Sequence, residues 1–194
     1  MNHKTYQGGS VRFAVIVLTI TVLIFGVPAT THADITPTTS IETAHNLFIG
    51  WLNPLSPEDQ ERADSIDAFF AKRKMPLAGY GADFVAAANL CDMDWRLQAA
   101  IAAKESSGGK FMFKQNNPFG WGSAKFSDLH EAIAVVGEHL CGLNENTARH
   151  YKDATTYDKL WHYNGTVINT YPREVISIMN LIGKETKTVQ LSFK

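Results

Sequence analysis

The chain has 194 residues, 45% of them hydrophobic and 19% charged, a balance that suits one domain with a real core and not a disordered or fibrous polypeptide. Lys4 and Arg12 are the only charged residues before Asp34, so the rest of the chain carries 16 basic against 19 acidic residues. Nothing in that balance invites nucleic acid, which wants a basic face.

The N-terminus reads as an address. Lys4 and Arg12 form a positive flank, and residues 13–27 are an apolar run broken only by Thr19, Thr21 and Gly26. Pro28 follows, and then Thr31-His32-Ala33, a small-x-small cleavage pattern before Asp34. The run sits at the long end of a signal core, roughly 7–15 residues, and is short for a membrane span of about 20. A cleaved export signal over residues 1–33 is expected, with an uncleaved anchor as the alternative. Either delivers the protein outside the cytoplasmic membrane, secreted or held at the cell envelope. Residues 34–55 read as a linker, rich in Thr, Pro and Ser around Thr36-Pro37-Thr38-Thr39-Ser40. The apolar cluster 47–52 within it is a candidate to dock on the domain that follows.

Residues 56–194 form that domain. Ser56-Pro57-Glu58-Asp59 starts a helix, with Ser as cap, Pro in the first turn and acids at the positive helix end. It continues through Ile66, Phe69 and Phe70 to about Arg73, and Met75-Pro76 ends it. A second helix covers about 82–90. A third begins at Asp94 and runs through Ala99-Ala100-Ile101-Ala102-Ala103 to Glu105, with apolar residues on several sides. Between Gly108 and Gly122 the density of Gly, Asn and Pro predicts an ordered loop with room for a short hairpin. Ser127 caps a helix over 128–140, with Leu129, Ile133, Val136 and Leu140 on one face. A short helix follows over 156–162, and Pro172 opens a last one through Val175, Ile178, Met179 and Ile182. Strand-like alternation is scarce, so the class is all-α.

Cys91 and Cys141 both lie beyond the leader, in a compartment that permits a bridge; whether they pair is open, because spacing alone does not show the geometry. A zinc site from His130, His139 and Cys141 has little behind it. His130-Glu131 lacks the second histidine of a metalloprotease helix, and no paired-cysteine spacing appears.

The helix that ends in Glu105 carries the chemistry. It brings a carboxyl group into or beside the core, where burial disfavours the charged form, as a general acid near neutral pH requires. Three separated motifs accompany it: Ala102-Ala103-Lys104-Glu105-Ser106-Ser107-Gly108-Gly109, Asn117-Pro118-Phe119-Gly120-Trp121-Gly122, and Tyr163-Asn164-Gly165 followed by Tyr171-Pro172-Arg173-Glu174-Val175. From about Ala78 to Ile182 the chain resembles the lysozyme-like superfamily of peptidoglycan glycosidases. The likeness is to its N-acetylglucosaminidase branch and to soluble lytic transglycosylases. The first motif resembles their catalytic Glu-Ser signature, the second the Asn-x-Phe-Gly loop of the sugar cleft, the third the Tyr-Asn-Ala-Gly motif and the helix after it.

The resemblance implies a lysozyme-like helical fold and a set of roles. Glu105 would be the general acid, and Ser106 would orient it or touch substrate. Tyr163 and Asn164 would position the sugar or the carboxylate. Asn117, Phe119, Gly120 and Trp121 would shape the cleft, and Tyr171 would bind substrate or simply pack the last helix. The substrate would be the β-1,4-linked backbone of N-acetylglucosamine and N-acetylmuramic acid, cleaved by a monomer without metal or organic cofactor, and with the membrane met only through the leader. A non-catalytic glycan-binding or envelope-structural module on the same fold is the alternative. Two-carboxylate hydrolysis needs a partner about 5–5.5 Å or about 6.5–9.5 Å away. Asp128, Glu131, Asp153 and Asp158 are candidates, none in a matching motif. A transglycosylase needs one carboxyl group, and the choice between hydrolysis and ring closure stays open.

Overall fold

The computed structural model describes residues 55–192, with side chains described to Glu185. The expected leader, and nearly all of the expected linker with its apolar cluster, lie outside the described residues. Among the described residues there are α-helices and no strands, so the domain is all-α and the short hairpin does not form. No helix there is long and apolar enough to cross a membrane.

Helix α1 (Pro57–Lys72) begins as the sequence predicts: the Asp59 amide donates to Ser56 Oγ at 3.1 Å, with Pro57, Glu58 and Asp59 in the first turn. It buries Ile66, Phe69 and Phe70 against α2 (Gly81–Asn89) and the last helix, α7 (Tyr171–Ser192). Gly81 permits the α1–α2 approach, since a Cβ there would lie 2.2 Å from the Ala63 carbonyl oxygen. Helix α3 (Leu97–Ser106) starts three residues later than predicted. Asp94 ties up the entry instead, accepting from the Arg96 amide at 3.0 Å and from its guanidinium at 2.9 and 2.7 Å. Leu97 through Ala102 are buried without a break, so α3 runs through the core with α7 packed on it. Its alanines keep the neighbours close, and Gln98 donates to the Ile133 carbonyl at 2.7 Å.

Helix α4 (Leu129–Leu140) is capped by Asp128, not by Ser127. The Glu131 amide donates to Asp128 Oδ1 at 2.8 Å, and Ser127 donates its amide and hydroxyl to the Glu131 carboxylate. The serine thus serves the same helix start from one residue further out. A four-residue helix absent from the sequence reading, α5 (Ala148–Tyr151), precedes α6 (Thr156–Leu160), which runs into a π-helical turn, Trp161–Gly165. Lys159 is buried beneath them, with its ammonium donating to the Leu140 carbonyl at 2.7 Å and to the Tyr151 carbonyl. A cation there satisfies helix-end carbonyls that α4 and α5 cannot pair themselves. Cys91 and Cys141 are bridged, joining the end of α2 to the end of α4. With the two cysteines 50 positions apart, the bridge stabilises the fold by about 4 kcal/mol on the loop-closure model.

Candidate functional site

The site is built where α3 ends. Ser107 adopts a left-handed conformation, φ 53°, and the Gly108 amide donates back to the Ala102 carbonyl at 3.0 Å, which terminates the helix just past Glu105. Gly108 is needed there: a Cβ would come within 2.8 Å of Met75. The small residues after Glu105 therefore turn the chain sharply and leave the half-buried carboxyl at a helix end.

Two elements converge on that carboxyl. Tyr171, at the start of α7, is 1% exposed, and its hydroxyl donates to Glu105 Oε1 at 2.6 Å. From the other side comes the loop after α3. Gly120 has φ +61°, and a Cβ added there would sit 2.9 Å from Glu105 Oε2. One carboxyl oxygen is thus held by a phenol, and the other lies against bare backbone. Lys104 and Glu174 pair across the same junction and fix α3 to α7.

The loop that presents Gly120 is braced from within. Asn117 is buried; its amide donates to the carbonyls of Trp121 at 3.2 Å and Ala124 at 3.0 Å and accepts from the Trp121 amide at 3.1 Å. Ser106 Oγ donates to the Pro118 carbonyl at 2.7 Å and accepts from the Gly109 amide at 2.9 Å. Ser106 and Asn117 are therefore spent on the loop's own backbone, and neither offers its side chain to a ligand. Phe119 is also turned away from the cleft. It is fully buried in a T-shaped contact with Phe84, centroids 6.3 Å apart, and only its carbonyl serves the site, accepting from the Tyr163 hydroxyl at 2.5 Å.

Trp121 is the aromatic residue of this loop that lines the cavity. It is half-buried, with ring centroids 4.8 Å from His139, 5.4 Å from Tyr163 and 6.3 Å from Tyr151. Tyr163 in turn stacks on Tyr171 at 6.0 Å with planes 4° apart. Gly120, Trp121, Gly122, Ser123, Ala124, Tyr151 and Tyr163 line a cavity of about 540 Å³. Gly120 belongs to both halves of the site, leaving room for Glu105 where a Cβ would crowd it and lining the cavity. Asn164 lies next in the π-helical turn, where its carbonyl accepts from the amides of Val167 and Ile168.

Tyr151 is the aromatic lining residue that sequence reasoning missed. It ends a helix too short to show periodicity, and Lys159 holds that helix from below. Burial pushes the Tyr151 phenol up to about 12. Burial also raises Tyr163, reinforced by the Glu105 charge, and raises Tyr171, where the hydrogen bond to Glu105 adds to the effect. Burial lowers His139, so the imidazole beside Trp121 favours its neutral form.

The four carboxylates weighed as partners for Glu105 are engaged elsewhere or exposed. Asp128 and Glu131 are bonded at the start of α4, Asp158 accepts from Thr155 at 2.6 Å at the start of α6, and Asp153 is exposed in the turn after α5. His130, His139 and Cys141 are likewise occupied: His130 with Asp83 at 2.8 Å, His139 with Thr147 at 2.8 Å, and Cys141 in the disulfide. Among the described residues no three His, Cys, Asp or Glu are grouped to hold a metal ion. Compared with models of known protein families, with curated proteins and with solved structures, the chain finds no match.

Proposed function

We propose that the protein is an exported, lysozyme-like peptidoglycan glycosidase that cleaves β-1,4 bonds of the N-acetylglucosamine/N-acetylmuramic acid backbone, with Glu105 as general acid. The observation that carries this is the clamp on Glu105: one oxygen held by Tyr171, the other against Gly120, beside an aromatic-lined cavity. Sugar rings present apolar faces that stack on aromatic side chains, and Trp121, Tyr151 and Tyr163 supply such faces. The disulfide is in keeping with an oxidising compartment outside the cytoplasm.

In this mechanism Glu105 donates its proton to the bridging oxygen as the bond from that oxygen to the anomeric carbon breaks. Positive charge then builds on the anomeric carbon, and the Glu105 carboxylate left behind takes a proton from the attacking hydroxyl. Asp128, Glu131 and Asp158 are engaged at the starts of α4 and α6, and the route proposed is the single-carboxylate one, in which the sugar's own hydroxyl attacks and an anhydro ring closes. Tyr171 stays a phenol throughout, because burial and the neighbouring carboxylate both oppose its ionisation.

The test is Glu105→Gln assayed on purified cell wall, with circular dichroism to confirm folding. A loss of clearing on the order of 10²–10⁴-fold is expected for removal of a general acid. Clearing equal to the parent's would remove Glu105 from the chemistry, and a parent that binds wall without clearing it would identify a binding module. Mass analysis of released fragments separates anhydro from reducing ends.

A further inference from the structure

Just past the end of α3, residues 110–114 depart from the rest of the surface. Phe111 is 75% exposed, Met112 36% and Phe113 92%. Single exposed apolar residues are ordinary, but three large ones in succession mark an interaction site. Both feet of this tip are fixed. The Phe111 amide donates to the Ser106 carbonyl at 3.0 Å, and Lys110 Nζ donates to the Arg73 carbonyl at 2.8 Å. On the far side the Asn117 amide donates to the Lys114 carbonyl at 3.1 Å, and the Phe126 amide to the Gln115 carbonyl at 3.2 Å. The apolar side chains are therefore held out in water by bonded backbone.

The same bonds gather cations around the tip. Lys110 and Lys114 bracket it, Lys74 follows Arg73 at one foot, and Lys125 precedes Phe126 at the other. Lys114 Nζ lies 4.9 Å from the centre of the Phe113 ring. Lys72 and Arg73 close by are partnered by Glu185, at 3.2 and 3.6 Å, and add little net charge. In a chain that is acidic beyond its leader, an apolar tip ringed by lysines stands out. Phenylalanines below and lysines above is the arrangement by which a surface segment enters the boundary of a charged bilayer. A glycan would stack on one aromatic face and gain nothing from Met112.

We propose that residues 110–114 form an interfacial membrane anchor, with Phe111, Met112 and Phe113 entering the headgroup boundary of an anionic phospholipid bilayer and Lys74, Lys110, Lys114 and Lys125 meeting its phosphates. The inference stands on this surface alone and does not depend on the chemistry of Glu105. It adds a second membrane contact to any made by the leader. Because the tip follows α3 directly, it would hold the cleft close to the lipid surface.

The experiment mixes the full chain with vesicles of phosphatidylglycerol and phosphatidylcholine, or of phosphatidylcholine alone, and follows amide hydrogen exchange over residues 110–114. Anionic vesicles are expected to slow exchange there, neutral ones much less, and added salt to weaken the effect. The double variant Phe111→Ser/Phe113→Ser should lose most of that local protection. A second pair, Lys110→Glu/Lys114→Glu, keeps the phenylalanines and should lose the preference for anionic lipid. A retained leader would bring parent and variants to the bilayer alike, so local exchange decides, not sedimentation. Unchanged exchange at 110–114 with anionic vesicles overturns the proposal. So does protection by soluble glycan fragments and not by vesicles, which would make the tip a sugar platform.

Discussion

Phe111 and Phe113 stand almost clear of the protein, whereas Phe119 and Phe126, a few residues on in the same loop, are buried. The residue type is identical, and the difference lies in what the backbone is tied to. Phe119 sits between Pro118, whose carbonyl accepts from Ser106, and Gly120, where any side chain would crowd Glu105. Those ties face the core, so the ring goes inward. The tip is tied only at its feet, to Ser106, Arg73, Asn117 and Phe126, and its side chains have nothing above them. An aromatic residue in a loop thus takes its role from the bonds of its neighbours.

The largest effect that sharpens this contrast is Phe119→Ala. Truncating a fully buried phenylalanine costs about 3–5 kcal/mol, which lowers the melting temperature by roughly 10–20 °C in a domain of this size. Calorimetry of the variant checks it, and a shift of only a degree or two would mean that the cleft loop is no better packed than the tip.

Alkaline pH opens the comparison from the cleft side. Tyr151 titrates at about 12 in the folded protein against an ordinary 10.0, and burial raises Tyr163 and Tyr171 as well. Below pH 10 all three are protonated folded or unfolded and contribute no pH dependence. Above it the unfolded chain loses these protons first, so stability falls as pH rises toward the folded values. The slope is about 1.4 kcal/mol per pH unit for each tyrosine. Phenolate absorbance from these three should therefore appear together with unfolding, and smooth independent titration would show a cleft already open to water.

How much of this was legible in the sequence follows from where the determining contacts lie. Helix α1 was legible because Ser56, Pro57 and Asp59 act on one another within a single turn. The end of α3 was legible because the small residues after Glu105 permit the left-handed turn at Ser107 and the tight fit of Gly108. The inward face of Phe119 was not, because it is set by Phe84 on α2, distant in sequence. Nor was α5, which has four residues and leans on Lys159. Tyr171 was open between packing and function from sequence alone. Its ring is buried and its hydroxyl is on Glu105, so it serves both.

That dual use makes Tyr171→Phe the next effect in size. The ring stays, so packing is kept, and only the hydrogen bond to the carboxylate is lost, about 1.5–3 kcal/mol for a bond to a charged group. The expected outcome is a fall in kcat of roughly 10–100-fold with KM little changed, since Tyr171 acts as a positioning residue through Glu105. A rise in KM at constant kcat would instead make it a substrate contact.

The smallest effect belongs to the tip. Phe113→Ala removes a side chain that is 92% exposed and lies 4.9 Å from the ammonium of Lys114. Its removal should change stability by less than about 0.5 kcal/mol, as for surface substitutions generally. Clearing of isolated wall should be unchanged too, because no bond of the Glu105 clamp passes through residue 113. A destabilisation approaching that of Phe119→Ala would mean that the ring packs against the domain in solution and that the two ends of the loop are alike. A stable, active variant would place the role of this exposed phenylalanine outside the fold and outside the cleft, at a surface the protein meets only when membrane is present.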